Sequence, residues 1–532
     1  MSDSEVALPS RPGRRRRKTW IARHWRGEYP LGVSYWGMGI LGGLIVGVAS
    51  VIFVSALPIQ SGYNPLRIFA ILVATWVATA LITTWQLVGI WRSANHRIEA
   101  RARIGRKALW ASLAKIAVFV GFMRLLGSLI SQGAPQVVEG YRMAFMDDPE
   151  IPAYAIRVMR NGTEAEITGG FKYGLSDDFL RVVRASPRIR VLHLNSLGGR
   201  VGEAEKLNGL IREKGLITYV SAQCVSACTV AFAGGRERWI KRGASLGFHA
   251  PTFPGMTAAD LSAMSRVQRT LFLQAGFATS LVDRAMATPN DQVWTPTLDE
   301  LRSSRVVTAV SDGTQFAASG YGANATRAEI AKNASQNVPV LQAIQERLPT
   351  EFARIMDDFY KGYEDGASEA ELAAAAHARI VPIYAAYARL ADDQTLVDLG
   401  KLLVDQYAVL SARDPESCYL YASGSGGARN FSLEMPAALV ERELAIGARI
   451  IRTAAERPDI TDQVTGPLWA KVVADLQGSL GKEIDILDLL IGEKVPANRY
   501  AEYCELSKAL FAAITRLEIH EAGMLMRKLS QK

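Results

Sequence analysis

The sequence predicts an α/β domain that follows three membrane-spanning helices and precedes an all-α region. Three observations support this division. Long apolar segments are confined to the first quarter of the chain, and short β-branched runs alternate with helical patterns between about residues 153 and 320. Beyond residue 325, apolar residues recur at helical spacing. With 532 residues, the chain is long enough for two or three folding units.

Three apolar segments are each long enough to cross a bilayer as a helix, which needs about 20 residues. They are residues 36–58, 67–91 and 108–130. The third contains Lys115 and Arg124, each about two turns from an end, where a long basic side chain can reach the headgroup layer. The sequence therefore predicts a three-helix membrane region over residues 36–130, after a basic cytoplasmic segment 1–35.

The distribution of positive charge predicts the orientation of these helices. Residues 1–135 carry 17 Lys or Arg and 4 Asp or Glu, whereas the rest of the chain carries 44 and 48. Basic residues cluster before residue 36, including the run Arg14–Lys18, and again in the loop 92–107, so both segments should be cytoplasmic. Three crossings then place the rest of the chain on the far side. Because the excess positive charge belongs to the membrane end, no nucleic-acid interface is expected.

The next part of the chain alternates strand and helix patterns. Residues 131–152, with three prolines, are predicted to be a linker. Two β-rich runs then flank Asn161-Gly162, a preferred turn pair of β-hairpins. The runs RIRVLHLN, LITYVSAQ and ASLGFHAP predict further strands separated by helices, which implies a largely parallel sheet. Active sites of such sheets lie at the carboxyl ends of the strands.

Three loops at those ends carry groups that suit one reaction. Ser226 follows a strand and begins a helix, so its hydroxyl can lie beside free backbone N–H groups. Gly198 and Gly199 form a turn whose N–H groups can hold an oxyanion. His249 ends a strand and could accept the serine proton, and Asp291 could orient the imidazole. Each residue alone has an ordinary structural explanation, but their order along the chain favours a catalytic set.

These motifs resemble the Clp-protease/crotonase superfamily, and within it the ClpP-like serine proteases, over roughly residues 152–312. HLNSLGGRV is similar to the family's oxyanion turn, AQCVSACTVAFAGG to its nucleophile segment, SLGFHAP to its histidine segment and NDQVWTPTLDEL to its acid-bearing turn. The resemblance implies an α/β spiral of ββα repeats over residues 153–320 with a Ser226–His249–Asp291 triad. It implies an oxyanion hole made by Gly198 or Gly199 together with Ala227. It also implies a polypeptide substrate and no cofactor, and it is compatible with a homo-oligomer.

The chain departs from cytoplasmic ClpP in its apolar helices and in the two cysteines beside Ser226. Cytoplasmic ClpP works with a separate ATP-driven unfoldase, and this sequence contains no G-x-x-x-x-G-K-[ST] motif of its own for ATP. It is closer to predicted membrane-bound or periplasmic ClpP-like proteins, which implies a bacterial inner-membrane protein whose α/β and C-terminal regions are periplasmic. It is similar, more distantly, to signal peptide peptidase A, which uses a Ser–Lys dyad. Between Ser226 and Lys332 the only lysine is Lys241, in a predicted strand, so a Ser–His–Asp set is favoured.

Four cysteines, all beyond the membrane region, suit an oxidising compartment. Cys224 and Cys228 have a spacing compatible with a disulfide that braces the turn of Ser226. The alternatives are two reduced thiols packed at the helix start, or a catalytic cysteine. Cys418 and Cys504 are predicted to join two helices of the all-α region, residues 325–532. No histidine lies at ligand spacing from these cysteines, so no metal site is expected.

The leading hypothesis is a membrane-anchored serine peptidase that cleaves polypeptides outside the cytoplasm without ATP. One alternative is a non-catalytic scaffold on the same fold, in which the helical region is the working part. Another is a crotonase-like acyl-CoA enzyme that uses the glycine turn to hold a thioester enolate. The sequence names no partner for the helical region.

Overall fold

A computed structural model describes residues 19–48, 64–322, 325–426, 429, 431–457, 460–480 and 495–530. The basic run Arg14–Lys18 and the second half of the first predicted membrane span lie outside the described residues. The described chain contains apolar helices, an α/β region and a mostly helical remainder, in that order.

Two helices near the N-terminus are long and apolar enough to cross a bilayer, Pro65–Ala102 and Leu109–Phe145. They contain the second and third predicted spans. The first predicted span begins in a shorter apolar helix, Val33–Val48, so among the described residues two helices, and not three, have the length and composition of a span. Their surfaces are apolar and exposed, with Leu81 67%, Trp110 79% and Ile130 65% accessible. A short helix, Trp20–Trp25, precedes them.

The helix Leu109–Phe145 continues through much of the segment 131–152, which the sequence predicts to be a linker. Pro135 does not end the helix, because a π-helical stretch precedes it and places Pro135 in the first turn of the following α-helical part, where its missing N–H costs least. Gly133 and Gly140 allow this part to pack closely on Trp76 and Phe69 of the preceding helix. Tertiary packing therefore extends the helix beyond its apolar span.

Eight strands make up two sheets in the α/β region. They are β1 (Ala155–Met159), β2 (Glu164–Thr168), β3 (Val191–Asn195), β4 (Ile217–Val220), β5 (Gln223–Val225), β6 (Arg238–Lys241), β7 (Ser245–Gly247) and β8 (Ala309–Ser311). The central sheet has the order β1-β2-β3-β4-β6-β8. β1 and β2 are antiparallel around the predicted Asn161-Gly162 turn, and the other neighbours are parallel. The prediction of a largely parallel sheet with an initial hairpin is confirmed.

The two faces of the central sheet differ because alternate residues of a strand point to opposite sides. One face carries Ile167, Leu192 and Leu194, which are fully buried in the main core. Helices cover this core: Leu175–Ala185, Val201–Lys214, Ala227–Phe232, Ala258–Gln274, Thr279–Ala287 and Leu298–Ser303. The opposite face carries buried polar residues, including Glu164 and His193, beneath the segment 312–322.

The second sheet is small and gathers the loops that the sequence singles out. β5 and β7 pair in parallel, with Val225 opposite Gly247. Single bridges extend this sheet on both sides, and they join Phe171 to Gly199, Ser196 to Cys224 and Phe248 to Trp294. The glycine turn, the serine, the histidine strand and the loop that contains Asp291 therefore all belong to one layer.

The remainder of the chain is mostly helical, as predicted. The helices among its described residues are Arg327–Asn337, Pro339–Arg347, Pro349–Glu364, Glu369–Ala388, Asp393–Arg413, Pro415–Ala422, Ala437–Thr453, Asp462–Leu480, Tyr500–Ile514 and Ile519–Leu529. Capping boxes begin the first and fourth of them, at Thr326 with Glu329 and at Ser368 with Glu371. The helices pack around their own apolar cores.

Candidate active site

Ser226 occupies a strained turn between β5 and the helix Ala227–Phe232. Its backbone has φ 57° and ψ −125°, a conformation that costs a residue with a Cβ roughly 1–3 kcal/mol. The turn is held because the Ser226 N–H donates to the Gly247 carbonyl at 2.8 Å. A serine held in a sharp strand-to-helix turn is typical of nucleophiles whose hydroxyl must point away from the backbone. The side chain is half-buried and has no hydrogen bond to another described residue.

The glycine turn interlocks with the serine turn. Gly198 and Gly199 have φ of 100° and 144°, in the region that favours glycine. A Cβ on Gly198 would lie 2.7 Å from the Val225 carbonyl oxygen and 2.9 Å from the Ser226 Cβ. A Cβ on Gly199 would lie 2.6 Å from the Phe171 carbonyl oxygen. Neither position has room for a side chain.

The hydrogen bonds of this turn distinguish its two glycines. The Gly198 N–H donates to the Ser196 hydroxyl at 3.0 Å, so it is already engaged. The N–H groups of Gly199 and Ala227 have no acceptor among the described residues. Of the two glycines that the sequence offers for an oxyanion hole, Gly199 therefore has the N–H that is available to an acceptor, and the N–H of Ala227 is available as well.

His249 lies at the carboxyl end of the strand next to that of Ser226. Val225 pairs with Gly247, so Ser226 is one residue and His249 two residues beyond the same pair. The imidazole is half-buried, and its Nδ1 lies 2.8 Å from the Ala250 carbonyl oxygen. If Nδ1 donates to this carbonyl, Nε2 carries the lone pair, which is the tautomer a general base needs.

Asp291 lies on a loop that is bonded to the histidine strand. Phe248 and Trp294 exchange two backbone hydrogen bonds, and the Ala250 N–H donates to the Thr288 carbonyl. The Asp291 side chain is exposed and makes no hydrogen bond to the described residues. In this structure the Nδ1 of His249 is thus bonded to Ala250, and the predicted bond to Asp291 is not formed.

The cysteines flank the serine turn as a pair. The sulfur atoms of Cys224 and Cys228 lie at disulfide distance, with their Cα atoms 5.3 Å apart, and both residues are fully buried. A cysteine in a disulfide has no thiol that could act as the nucleophile. In this segment the hydroxyl of Ser226 is therefore the remaining candidate nucleophile. Cys418 and Cys504 are also paired, with Cα atoms 5.9 Å apart, and join the helices Pro415–Ala422 and Tyr500–Ile514 as predicted.

A Ser–Lys dyad has no support from the lysine that the sequence offers. The Nζ of Lys241 on β6 lies 2.7 Å from a carboxylate oxygen of Glu369, in the helical region. Within the described chain, no group of three or more His, Cys, Asp or Glu side chains is placed to hold a metal ion.

Sequence reasoning missed residues that hold the site in place. Asn195 ends β3, and its side-chain oxygen accepts from the N–H of Ala222 at 2.9 Å and the hydroxyl of Ser221 at 3.1 Å. The Ser196 hydroxyl donates to the Gly169 carbonyl at 2.6 Å while it accepts from Gly198. The available signal was a pair of polar residues, Asn195 and Ser196, at the carboxyl end of a buried strand, because active sites of such sheets lie at those ends.

Comparisons with known proteins give matches to solved structures. ClpP1 from Listeria monocytogenes matches with 15% identity and a TM-score of 0.26, over 28% of this chain and 92% of that one. A point mutant of the same ClpP1 matches with 17% identity and a TM-score of 0.25 over the same shares. A mutant of the 1510-N membrane-bound stomatin-specific protease matches with 15% identity and a TM-score of 0.24, over 30% of this chain and 81% of that one.

No protein-family model and no curated protein matches the chain. Likenesses at these identities and TM-scores assign no role to any residue of this chain. The motif order, the strand order and the small sheet that carries the site give the α/β region a ClpP-like fold.

Proposed function

We propose that the protein is a membrane-anchored serine peptidase with Ser226 as its nucleophile. One observation carries the proposal: Ser226 sits in a strained turn at a helix start, directly against a glycine turn, with the N–H groups of Gly199 and Ala227 unoccupied by any described acceptor. An ordinary N-cap residue has extended backbone, so the beginning of the helix alone does not require the strained conformation of Ser226.

In the proposed mechanism, the Ser226 hydroxyl attacks the peptide carbonyl and His249 accepts its proton. The tetrahedral oxyanion is held by the N–H groups of Gly199 and Ala227. The C–N bond then breaks as His249 returns the proton to the leaving amine, which yields an acyl-enzyme. Water, deprotonated by His249, hydrolyses this ester and restores the serine. No step needs a metal, a cofactor or ATP.

Asp291 is the proposed orienting carboxylate. Its loop is bonded through Trp294 and Thr288 to Phe248 and Ala250, the residues immediately before and after His249. Catalytic hydrogen bonds are often loose without substrate and form in the substrate complex. Asp291 would then replace the Ala250 carbonyl at Nδ1 of His249 and stabilise the imidazolium ion.

A shallow hollow beside this loop could accept a substrate side chain. It is lined by Arg284, Thr288, Gln292, Val293 and Trp294. The guanidinium group of Arg284 lies 4.3 Å from the centre of the Trp294 ring. The Trp294 ring and the Arg284 guanidinium group offer one apolar and one cationic contact to a side chain of an extended polypeptide. We therefore propose polypeptides as the substrate class.

We propose that the apolar helices anchor the protein in a bacterial inner membrane, with the site on the periplasmic side. Support comes from the exposed apolar surface of Pro65–Ala102 and Leu109–Phe145 and from the two cysteine pairs. Two spans would return the chain to its starting side, so the segment 36–58 decides the location. An alkaline phosphatase fused after residue 150 should be active and one fused after residue 105 inactive. An inactive fusion at 150 would place the site in the cytoplasm. A homo-oligomer stays a prediction of the resemblance.

The full chain in detergent, incubated with a disordered polypeptide, tests the proposed activity. Ser226→Ala should reduce cleavage at least about a thousandfold. Ser262→Ala, at an exposed position of the helix Ala258–Gln274, is the matched control and should cleave at the wild-type rate. If Ser226→Ala cleaved as fast as the wild type, Ser226 would not be the nucleophile. If the wild type did not cleave, the scaffold alternative would be favoured.

A further inference from the structure

The residue that follows the glycine turn is bonded to the membrane-anchor helix. The Nε of Arg200 donates to Asp148 at 2.6 Å, and one terminal nitrogen donates to both Asp148 and Glu139 at 2.5 Å. The three side chains are only 14%, 5% and 7% exposed. The Arg200 N–H donates to the Phe171 carbonyl at 2.8 Å and closes the bridge that holds Gly199.

Both carboxylates belong to the end of the anchor. Glu139 lies on the helix Leu109–Phe145, nine residues beyond the predicted membrane span, and Asp148 lies just after this helix. Asp147 and Asp148 have φ of 50° and 51°. Such a conformation persists where surrounding bonds hold it. Lys172, beside Phe171, supplies one such bond, since its Nζ donates to the Asp147 carbonyl at 2.6 Å.

A second contact joins the same helix to the histidine side of the site. The Gln136 side chain donates to the Gly255 carbonyl at 2.9 Å and accepts from the Trp76 indole N–H at 2.9 Å. Gly255 has φ 73°, and a Cβ there would lie 2.5 Å from the Gln132 carbonyl oxygen. The loop that follows His249 is therefore bonded at Gly255 to the same helix. The anchor helix thus contacts both the segment after the glycine turn and the loop after the histidine.

We propose that Arg200, Glu139 and Asp148 form a clamp through which the anchor helix positions the glycine turn, so that the site is assembled only when this helix end is seated. The inference rests on the proposed peptidase function and adds a means of regulating it. Arg200 is a positioning residue: it fixes the direction of the Gly199 N–H and does not touch the substrate. A planar guanidinium group that is bonded to two carboxylates holds the arginine in one orientation. A single ammonium group, which can rotate, does not.

The test uses the full chain in lipid nanodiscs with the variants Arg200→Lys and Glu139→Gln. Both preserve size, and the first also preserves charge. We expect kcat for peptide hydrolysis to fall at least about tenfold while KM changes less than about twofold, because a displaced oxyanion donor weakens transition-state binding only. Arg181→Lys is the control, since its ion pair with Asp178 is more exposed and includes neither a residue of the glycine turn nor one of the anchor helix.

Hydrogen exchange gives a readout that does not depend on activity. The amide N–H groups of Gly198 and Arg200 are bonded in the turn, and a loosened clamp should speed exchange of the peptide covering residues 195–201 by at least about threefold. Wild-type kcat and unchanged exchange in both variants would overturn the proposal. If one variant did not fold, the other would decide alone. If the wild type were inactive but exchange were faster in the variants, the clamp would be supported and the peptidase function would be refuted.

Discussion

Gly198 and Ser226 are in such close contact that a Cβ on the glycine would lie 2.9 Å from the Cβ of the serine. The same added atom would lie 3.0 Å from the backbone nitrogen of Ala227, one of the two proposed oxyanion donors. The glycine turn and the serine turn are therefore one packed unit, and the position of each depends on the other.

Gly198→Ala should disrupt this unit. The substitution places a side chain at φ 100°, which costs about 1–2 kcal/mol, and forces the serine turn away. We expect a lower melting temperature and a fall in kcat of at least about a hundredfold.

Gly209→Ala is the matched control for this substitution. Gly209 lies in the helix Val201–Lys214, and a Cβ there would meet no atom within 4 Å. Its melting temperature should rise slightly, because alanine favours a helix by up to about 1 kcal/mol. Full activity of Gly198→Ala would show that the contact does not position the nucleophile.

The buried polar face of the sheet should make stability depend on pH. The Glu164 carboxylate lies 2.8 Å from Nε2 of His193, whose Nδ1 lies 2.7 Å from the Ser319 hydroxyl. Burial raises the pKa of Glu164, but the hydrogen bond and charge of His193, the Ala317 N–H and Arg160 together outweigh burial, so the pKa lies below its usual 4.5. The ionised form is thus bound more tightly in the folded state.

A lowered folded-state pKa stabilises the fold above the unfolded value of 4.5, and the contribution disappears as the pH falls below it. Melting temperatures of the wild type and Glu164→Gln should differ most near pH 7 and converge as the pH falls below about 4.5. Glu329→Gln, on an exposed carboxylate in the capping box at Thr326, is the control and should have a much smaller effect at neutral pH. A difference for Glu164→Gln that did not change with pH would contradict the prediction.

The two cysteine pairs should contribute unequally to stability. They close segments with sequence separations of 4 and 86 residues. In the chain-entropy description these loops correspond to about 2 and about 4.5 kcal/mol. Cys418→Ser with Cys504→Ser should therefore lower the melting temperature more than Cys224→Ser with Cys228→Ser. Peptide mapping of the wild type without reductant should find no free thiol among the four residues. Free thiols at Cys224 and Cys228 would show that no disulfide braces the turn of Ser226.

Asp291→Asn tests the third member of the proposed triad. The amide cannot stabilise an imidazolium ion, so kcat should fall by about a hundredfold or more while the fold is unchanged, because Asp291 is exposed. Asp299→Asn, in the first turn of the helix Leu298–Ser303, is the control. Wild-type kcat for Asp291→Asn would mean that the Ala250 carbonyl, and not a carboxylate, orients His249.

Local patterns in the sequence were sufficient to predict much of the α/β region. The Asn161-Gly162 hairpin, the strands that lead to Gly198, Ser226 and His249, and the helix periodicity after residue 325 all depend on near neighbours along the chain. Such patterns predict which segments pair and which loops share one end of a sheet.

Other features depend on contacts between distant residues and could not be predicted in this way. Pro135 suggested a linker, yet packing on Trp76 and Phe69 keeps the helix intact through Phe145. Which glycine offers a free N–H is decided by the Ser196 hydroxyl. The bond from Arg200 to Glu139 joins residues that are 61 positions apart.

The most direct measurement is the site of attachment of a fluorophosphonate probe, located by peptide mass spectrometry on the full chain in lipid. We expect a single adduct on Ser226, absent after Ser226→Ala and much reduced after His249→Ala, because the serine needs its base to react. An adduct on another residue, or no adduct on a folded wild-type protein, would contradict it.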